Sequence, residues 1–322
     1  MKKMFILLLL FPAVGFSAPV INIATGTFSN GGSITITGTG FGASGPNVVL
    51  FDSFENGATG SNISTSSNSA DIGNWNELGN PSQTYSLDYA KSGAKSMKIN
   101  WATSWGAGPK FRYASVQNSD ILISWWQYMP TNRDVPGTNS VDGPNWKLFW
   151  IGDETDDWPW GSDIASQFLS SDLASSTFPA AVDDLGLPSR YGNEYEPDVY
   201  YNTLFGKGVW MRTTIALRNS TSGSTMWQQE INGVSQSTEV RYNKITAHSD
   251  DPWNVLTLPG FGRQDSNAVA YFDDVYVATG AGARARVEIG NASTYTSCTN
   301  LALITPTAWS ETTISATTRT GS

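Results

Sequence analysis

Acidic side chains crowd into two short stretches of the sequence. One is Asp153-Glu-Thr-Asp-Asp-Trp-Pro-Trp, and in the other Glu194, Glu196 and Asp198 alternate. Clustered carboxylates suit a hard cation such as Ca²⁺, and two facing carboxylates can serve as the acid and base of a glycosidase. A solvated acidic loop explains both stretches equally well. We therefore assign a catalytic pair to neither of them.

The chain contains one histidine and one cysteine, which limits the chemistry open to it. A zinc site draws its ligands mainly from these two residue types, so such a site is close to excluded. Cys298 has no partner for an internal disulfide. His248 lies in a predicted loop, where a lone histidine is ordinarily a surface residue. No phosphate-binding loop, dinucleotide fingerprint or Gly-x-Ser-x-Gly motif occurs.

Tryptophan is concentrated in one part of the sequence, with eight residues of this type between positions 101 and 160. Sugar rings present apolar C–H faces that stack on aromatic planes, while Asn, Gln and Asp recognise the hydroxyl groups. Neighbours such as Trp125 and Trp126 must point to opposite faces of a strand, so one of each pair fills the core. The others are candidates for glycan contacts.

The sequence is acidic overall, with 19 Lys and Arg against 28 Asp and Glu and a net charge of −9. This balance argues against nucleic acid as a partner, and against polyanions held by bulk charge. A neutral glycan is favoured unless Arg112 and Lys147 create a local basic groove.

Residues 1–17 have the features of a secretory signal peptide. Lys2 and Lys3 precede an apolar run, and small residues precede a cut before Ala18. We therefore predict that the protein is secreted, periplasmic or on the cell surface. After cleavage no apolar stretch of membrane-spanning length remains.

The composition of the remaining chain predicts strands and turns. Aromatic and β-branched runs are broken by Gly, Asn and Pro, while Lys and Glu, which are common on helix surfaces, are scarce. The best candidate for a short helix is Ala165–Leu173. The predicted fold class is all-β.

The stretch from Gly31 to Gly42 alternates Ile34 and Ile36 with threonines, so one face of a strand is buried. With its glycines and Phe41, it resembles the opening of an IPT/TIG domain, a small immunoglobulin-like β-sandwich. The resemblance stops after Val48-Val-Leu-Phe.

The rest of that pattern occurs near the other end of the chain. Arg286-Val-Glu-Ile-Gly-Asn-Ala resembles the next strand and turn of the family, and Leu303–Thr317 resembles its later strands. Ile314 and Ala316 would then point inward. The resemblance implies that another domain is inserted into the small one, which is easy where two strand ends meet at a surface loop.

The inserted part opens with Phe51-Asp-Ser-Phe-Glu and closes with Tyr271-Phe-Asp-Asp-Val-Tyr-Val. It includes Glu230-Ile-Asn-Gly-Val, in which Asn232-Gly233 predicts a hairpin turn. This order resembles the concanavalin-like jelly rolls of laminin-G-type modules, legume-type lectins, polysaccharide lyases and hydrolases. The implied organisation is a signal peptide, residues 1–17; a split IPT/TIG-like domain, residues 18–49 and 284–322; and a large antiparallel jelly-roll β-sandwich, residues 50–283.

Jelly rolls of this kind often bind Ca²⁺ where their first and last strands meet. The resemblance therefore implies a structural calcium ion with ligands among Asp52, Glu55, Asp273 and Asp274. Strand alternation puts Asp273 and Asp274 on opposite faces, so at least one of them is partly buried and needs a partner. Pairing with Lys or Arg is the alternative.

The resemblance also implies a concave sheet wide enough for a sugar chain. We expect Lys110–Tyr113, Ser124–Tyr128, Trp146–Trp150 and Met226–Glu230 to line it, because these segments mix aromatic side chains with Arg, Lys or Gln. Solvation of an exposed face explains the same pattern. The candidate glycan-binding residues are Trp105, Arg112, Trp126, Gln127, Lys147 and Gln229.

We interpret these features as those of a carbohydrate-binding or adhesion protein that acts on extracellular polysaccharide. The alternative is a polysaccharide lyase or glycoside hydrolase of the jelly-roll class, and a structural surface or appendage protein is a further alternative. A lyase needs a residue that neutralises the uronate carboxylate and a His or Tyr base for the C5 proton. Arg112, Lys147, His248 and the tyrosines are candidates for these roles.

Overall fold

The structure is a computed structural model of the chain. It describes residues 5–9, 18–113, 120–133, 146–152, 164–168, 177–178, 180–183, 199–200, 205–218, 225–236, 240–242, 254–262, 264 and 267–319. Within these ranges the chain forms β-strands, a 3₁₀ turn at Tyr295–Ser297 and no α-helix. The predicted all-β class is confirmed.

All the sheets are antiparallel. The strands in chain order are β1 (Phe5–Leu9), β2 (Val20–Gly26), β3 (Ser33–Thr39), β4 (Asn47–Asp52), β5 (Gln83–Ser86), β6 (Ser96–Asn100), β7 (Lys110–Arg112), β8 (Asp120–Tyr128), β9 (Trp146–Gly152), β10 (Ile164–Phe168), β11 (Thr177–Phe178), β12 (Ala180–Asp183), β13 (Val199–Tyr200), β14 (Phe205–Gly206), β15 (Trp210–Arg218), β16 (Thr225–Ile231), β17 (Val234–Ser235), β18 (Val240–Tyr242), β19 (Val255–Thr257), β20 (Phe261–Gly262), β21 (Val269–Thr279), β22 (Arg286–Gly290), β23 (Leu301–Trp309) and β24 (Thr313–Thr317).

Two large sheets enclose the main core. The seven-stranded sheet has the order β13-β12-β10-β9-β19-β7, with β20 also paired to β9. The nine-stranded sheet has the order β17-β16-β15-β8-β21-β6-β5, with β18 paired to β16 and β4 paired to β21. Trp125 of β8 meets Phe149 of β9 edge to face, with 5.3 Å between their ring centroids. One face of each sheet therefore supplies the core between them.

A six-stranded sheet, with the order β1-β22-β23-β24-β3-β2, joins strands from both ends of the chain. Ile314 lies opposite Ile36 where β24 pairs with β3. Ile34, Ile36, Ile314 and Ala316 are buried in one core, so their predicted inward orientation is confirmed. The domain boundaries and the IPT/TIG identity of this sheet stay predictions.

The outermost strand of this small sheet, β1, belongs to the predicted signal peptide. It pairs with β22 from Phe5 opposite Gly290 to Leu9 opposite Arg286. Cleavage before Ala18 stays a prediction. In the described part of the chain, no helix is long and apolar enough to cross a membrane.

Two local predictions had different outcomes. Asn232 and Gly233 form the predicted turn between β16 and β17, with positive φ angles of 51° and 78° that suit a type I′ turn. The predicted helix Ala165–Leu173 is wrong over its described part, because Ile164–Phe168 forms strand β10. Pairing with β9 on one side and β12 on the other stabilises this strand, so tertiary context overrides local propensity.

The small sheet packs on the outer face of the nine-stranded sheet. Their apolar contact includes Leu122, Ala216, Tyr276 and Leu303. Four buried charged side chains cross the same contact, and we call them the ion network: Arg212 and Glu230 from the nine-stranded sheet, and Arg286 and Glu288 from β22. The contact between the sheets is therefore both apolar and ionic.

Candidate functional site

The outer side of the seven-stranded sheet carries cationic and aromatic side chains. Phe111, Ile151 and Leu256 lie side by side on β7, β9 and β19 and are buried in the core. Side chains alternate along a strand, so the neighbouring residues point away from the core. We call this surface the cationic face; its described members are Lys110, Arg112, Lys147, Trp150, Thr257 and Phe261.

A bulge in β9 directs Lys147 to this face. Leu148 and Phe149 are adjacent, yet both are buried in the core. The pairing with β10 shifts register at this point, which leaves Leu148 as the extra residue of a β-bulge. Lys147 is consequently half-buried beside Phe261, its partner on β20. The bulge places a cation on a central strand of the sheet.

Three aromatic rings follow one another across the cationic face, and we call them the aromatic trio. Phe261 lies with its ring centroid 5.9 Å from that of Trp150 and 5.7 Å from that of Trp105. Trp105 is 54% exposed, which is unusual for a tryptophan. Trp150 and Phe261 are half-buried, so the trio offers one exposed ring and two partly exposed ones for stacking against apolar faces of a ligand.

Charged groups at the edge of the sheet contribute to the net charge of this face. Glu77 contacts Lys110 at 3.3 Å and Arg112 at 3.1 Å. Burial raises the pKa of Glu77, but the hydrogen bond from Arg112 and the charge of Lys110 outweigh it and lower that pKa. With Lys147, three cations accompany one carboxylate among the described side chains of this surface. The described part of this surface is therefore basic, although the whole sequence has a net charge of −9.

The predicted glycan-binding residues do not form one surface. Arg112, Lys147 and Trp105 lie together at the cationic face. The prediction that β8 and β16 line one sheet together with β7 and β9 is wrong. β7 and β9 belong to the seven-stranded sheet, whereas β8 and β16 belong to the nine-stranded sheet. The predicted residues that lie away from the cationic face are Trp126, Gln127 and Gln229.

Those three side chains are buried for identifiable reasons. Gln127 is 2% exposed and accepts a hydrogen bond from the indole of Trp125, so it faces the core. Gln229 lies on the strand that pairs with Ile215 and is also in the interior. Trp126 is covered by Lys91, whose ammonium is 4.2 Å from the ring centroid. None of them is available to a glycan in this arrangement.

Two residues of this surface, Phe261 and Glu77, are not predicted from the sequence. Phe261 follows the Leu258–Pro259 segment, and nothing local marks it as part of a surface. Glu77 is isolated in the sequence and reaches Lys110 through a bridge between two distant segments. Two acidic stretches and the histidine lie outside the described residues. They are Asp153 to Trp160, the set Glu194, Glu196 and Asp198, and His248.

The residues of the predicted calcium site lie at the end of β4, just after it, and in the middle of β21. Asp52 accepts hydrogen bonds from the Phe54 amide and the Trp75 indole, both at 2.8 Å. Asp273 accepts hydrogen bonds from the amides of Lys91 and Ser92. These carboxylates therefore already have N–H donors.

The two remaining residues of that set are bound in the same way. Glu55 Oε1 accepts hydrogen bonds from the amides of Ala94 and Lys95 at 2.8 and 2.7 Å. Asp274 accepts one from the Ser92 hydroxyl at 2.7 Å. Among the described residues, no group of three or more His, Cys, Asp and Glu side chains converges on a point where a metal ion could bind.

The calcium site stays a prediction with a direct test. We expect EDTA to lower the melting temperature of the protein and added Ca²⁺ to restore it, because an ion bound only to the folded state stabilises that state. Thermal unfolding in EDTA, in Ca²⁺ and in Mg²⁺ measures the effect. An equal melting temperature in all three solutions would rule the site out.

Burial changes the ionisation of this acidic cluster. Burial raises the pKa of Asp52 to about 7, against the hydrogen bonds from Phe54 and Trp75. Burial likewise raises the pKa of Asp274 to about 6, although the Ser92 hydroxyl and Lys91 oppose the shift. The pKa of Asp273 is also raised, first by burial and then by the charge of Asp274. Neutral carboxyl groups are therefore favoured below neutral pH.

We expect the folded state to lose stability as the pH rises from about 4 to about 7. The folded pKa of Asp52, about 7, lies above its ordinary value of 3.8, so in this window the folded chain holds a proton that the unfolded chain releases. The expected loss in the free energy of unfolding is roughly 2–4 kcal/mol. Urea unfolding at pH 5 and pH 8 measures it.

Asp274→Asn should reduce this pH dependence without straining the backbone, since Asn tolerates the positive φ of 48° at this position. Asp88→Asn is the matched control. The hydrogen bond from Lys98, opposed by burial and helped by Tyr271, lowers the pKa of Asp88, so this group does not titrate in the window. Equal stability of the wild type at pH 5 and pH 8 would contradict the prediction.

Comparison with known proteins gives matches at the level of structure. No family model matches the sequence, and no curated protein matches it. Alginate lyase Aly36B superposes with a TM-score of 0.51 at 14% identity, covering 73% of this chain and 97% of that one. A variant of that lyase in complex with alginate tetrasaccharide gives 0.50 at 15% identity, with the same coverage of both chains.

An endo-1,3-beta-glucanase from Streptomyces sioyaensis matches with a TM-score of 0.47 at 13% identity, covering 74% of this chain and 98% of that one. The similarity in fold rests on the two alginate lyase structures, whose TM-scores are 0.51 and 0.50. They confirm the jelly-roll architecture that the sequence predicts. The chain shares the jelly-roll fold of alginate lyase Aly36B.

Proposed function

We propose that the protein is a polysaccharide lyase that acts outside the cytoplasm on a uronate-containing polysaccharide. The observation that carries this proposal is the cationic face, where Lys147 lies on a central strand beside the aromatic trio. The structural neighbour with the same fold is named an alginate lyase, and one of its structures holds an alginate tetrasaccharide. The predicted signal peptide, residues 1–17, would bring the protein to such a substrate.

The chemistry of elimination explains why cations belong on this surface. A base takes the C5 proton of a uronate, the C4–O bond to the leaving sugar breaks, and a C4=C5 double bond forms. The leaving oxygen takes a proton. The uronate carboxylate must be neutralised, because negative charge develops next to it in the transition state. A cation fixed beside the sugar ring meets that requirement.

We assign the neutralising role to Lys147. It lies on β9, between β10 and the β19–β20 segment, and next to the ring of Phe261. Arg112 and Lys110 lie on the edge strand β7 and are partly neutralised by Glu77. They would bind carboxylates of neighbouring sugar units. For the base, the sequence offers His248 and the tyrosines.

Carbohydrate binding without catalysis is the second candidate function. The exposure of Trp105, with Phe261 beside it, favours this candidate because stacking on aromatic rings needs no base. Such binding would be weak, of the order of micromolar to millimolar, given the small contact area. A purely structural surface protein would show neither binding nor turnover.

A panel of alginate, glucuronan and neutral β-glucans separates these functions. A lyase produces new reducing ends and the ultraviolet absorbance of the C4=C5 double bond, whereas a hydrolase produces reducing ends alone. A binding module is retained in affinity electrophoresis without forming products. Absence of turnover on every uronate polysaccharide would overturn the lyase proposal.

Trp105→Ala tests the surface itself. We expect a decrease of about tenfold in affinity for the polysaccharide that the wild type recognises, because stacking on an exposed ring is lost. Its high exposure means that the fold should be unaffected, which thermal unfolding will check. Ile23→Ala is the control, because Ile23 is 55% exposed and lies on β2 of the small sheet, away from the aromatic trio. Unchanged affinity in Trp105→Ala would exclude the trio as a binding surface.

A further inference from the structure

The small sheet covers one part of the outer face of the nine-stranded sheet and leaves another part open. In the open part, five residues pair in one line across β15, β8, β21, β6 and β5. Their neighbours Met211, Phe272 and Met97 belong to the core, so alternation turns these five outward. The five residues are Trp210, Tyr128, Tyr271, Lys98 and Thr84.

Aromatic rings dominate this line, and Tyr89 adds one more from a neighbouring turn. The ring centroid of Tyr128 is 4.5 Å from that of Tyr89 and 5.3 Å from that of Trp210. Tyr271 lies 5.0 Å from Tyr89. We call these four residues the aromatic row. They form one continuous surface rather than separate rings.

Solvent reaches this surface. Tyr89 is 38% exposed, and Trp210 and Tyr128 are half-buried, whereas Tyr271 is buried against Tyr89 and Tyr128. Two apolar neighbours are also exposed, Val209 at 48% and Leu87 at 59%. Contiguous apolar patches that are exposed to solvent mark interaction sites, so these neighbouring aromatic and aliphatic side chains indicate a ligand.

Among the described residues, the charged groups in contact with the row are one acid and one cation, and Arg133 also acts on Tyr271 through its charge. Asp88 Oδ2 accepts hydrogen bonds from the Lys98 ammonium at 2.6 Å and from the Tyr271 hydroxyl at 2.9 Å. The ammonium of Lys98 also lies 5.7 Å from the centroid of the Tyr271 ring. One acid and one cation therefore cancel, while their hydrogen-bonding atoms stay at the surface. This differs from the cationic face, where cations exceed carboxylates.

We propose that the aromatic row is a second carbohydrate-binding surface, which takes a neutral polysaccharide and has no catalytic role. Pyranose rings stack on Tyr89 and Trp210, and their hydroxyl groups exchange hydrogen bonds with Asp88 and Lys98. The line crosses five strands, about 19 Å at the usual strand spacing, so an extended chain fits across the strands. Because the Lys98 ammonium is already paired with Asp88 and the Arg133 guanidinium donates to Asn267, the row favours a neutral glycan over a polyanion.

The row and the cationic face lie on different sheets and face opposite ways, so each can be tested alone. This second surface does not depend on whether the cationic face is catalytic. It would hold the protein on a neutral polysaccharide of a wall or matrix while the other sheet acts on a uronate chain.

The test uses the full chain with Tyr89→Ala, Trp210→Ala and the double variant. Retention is measured by affinity electrophoresis in neutral β-glucan, xylan and mannan and by pull-down on the insoluble forms. The double variant is expected to lose at least about tenfold in affinity. Leu87→Ala, an exposed apolar neighbour outside the row, is the matched control and should change affinity less than about twofold.

Turnover of a soluble uronate oligosaccharide serves as the second readout and should be unchanged in every row variant. Retention of the double variant equal to that of the wild type, or no retention of the wild type on any neutral polysaccharide, would overturn the proposal. A change in oligomeric state instead of retention would assign the row to a protein contact and overturn it too. If Trp210→Ala lowers the melting temperature, Tyr89→Ala decides, because its ring is at the surface.

Discussion

Lys147→Met is expected to lower kcat for polysaccharide elimination by about 10²–10³-fold, the usual effect of removing one group that stabilises developing charge. Met keeps the length of the side chain and removes the cation. The side chain lies beside Phe261 on the cationic face, so the aromatic trio and its stacking contacts should remain. The rate of increase in ultraviolet absorbance from a uronate polysaccharide measures the loss.

Two lysine variants serve as controls for that result. Lys110→Met removes a cation at the sheet edge that is paired with Glu77, so it should mainly raise KM and change kcat little. Lys207→Met removes a cation just before β15, on the other sheet, and should leave both parameters unchanged. A kcat of Lys147→Met within about twofold of the wild type would contradict the role that we assign to this residue.

Local pattern was sufficient for the parts of the fold that depend on near neighbours in the chain. The alternation of Ile34 and Ile36 predicted which face of β3 is buried, and Asn232-Gly233 predicted a turn that requires two positive φ angles. The outcome at β10 differs because the partners on each side are far away in sequence. Pairing between strands is non-local, and propensity over nine residues does not contain it.

The candidate site was predicted only in part for the same reason. Arg112 and Gln127 show the same alternation with aromatic residues, and nothing in the local sequence distinguishes the two cases. One faces outward beside Glu77, whereas the other faces the core and accepts a hydrogen bond from an indole. Sheet order decides between these cases. Phe261 reaches the surface through pairing with β9, and that contact is absent from its local sequence.

Alternation also gave a wrong impression of β21. A regular strand would put Asp273 and Asp274 on opposite faces. The structure has a register shift after Asp273, and Asp274 has a φ of 48°, so both carboxyl groups are drawn into the same cluster with Ser92. A bulge of this kind is a backbone feature that no residue type in the segment specifies.

Arg286→Met is expected to lower the free energy of unfolding by about 3–5 kcal/mol, which is the cost of removing one partner from a buried ion pair. Arg286 contacts Glu230 at 2.7 Å and Glu288 at 3.1 Å, and Glu288 also contacts Arg212 at 3.0 Å. The side chains of Arg212, Arg286 and Glu288 are each 1% exposed. Without Arg286, the buried carboxylates outnumber the cations between the two sheets. Urea unfolding measures the loss.

Arg112→Met is the matched control, because Arg112 contacts Glu77 at 3.1 Å and the two side chains are 36% and 46% exposed. Exposed ion pairs contribute at most about 1 kcal/mol, so this variant should be nearly as stable as the wild type. Adding Glu230→Gln to Arg286→Met should recover part of the loss, since it removes one of the unpaired charges. Stability of Arg286→Met within about 1 kcal/mol of the Arg112→Met control would mean that the ion network does not hold the two sheets together.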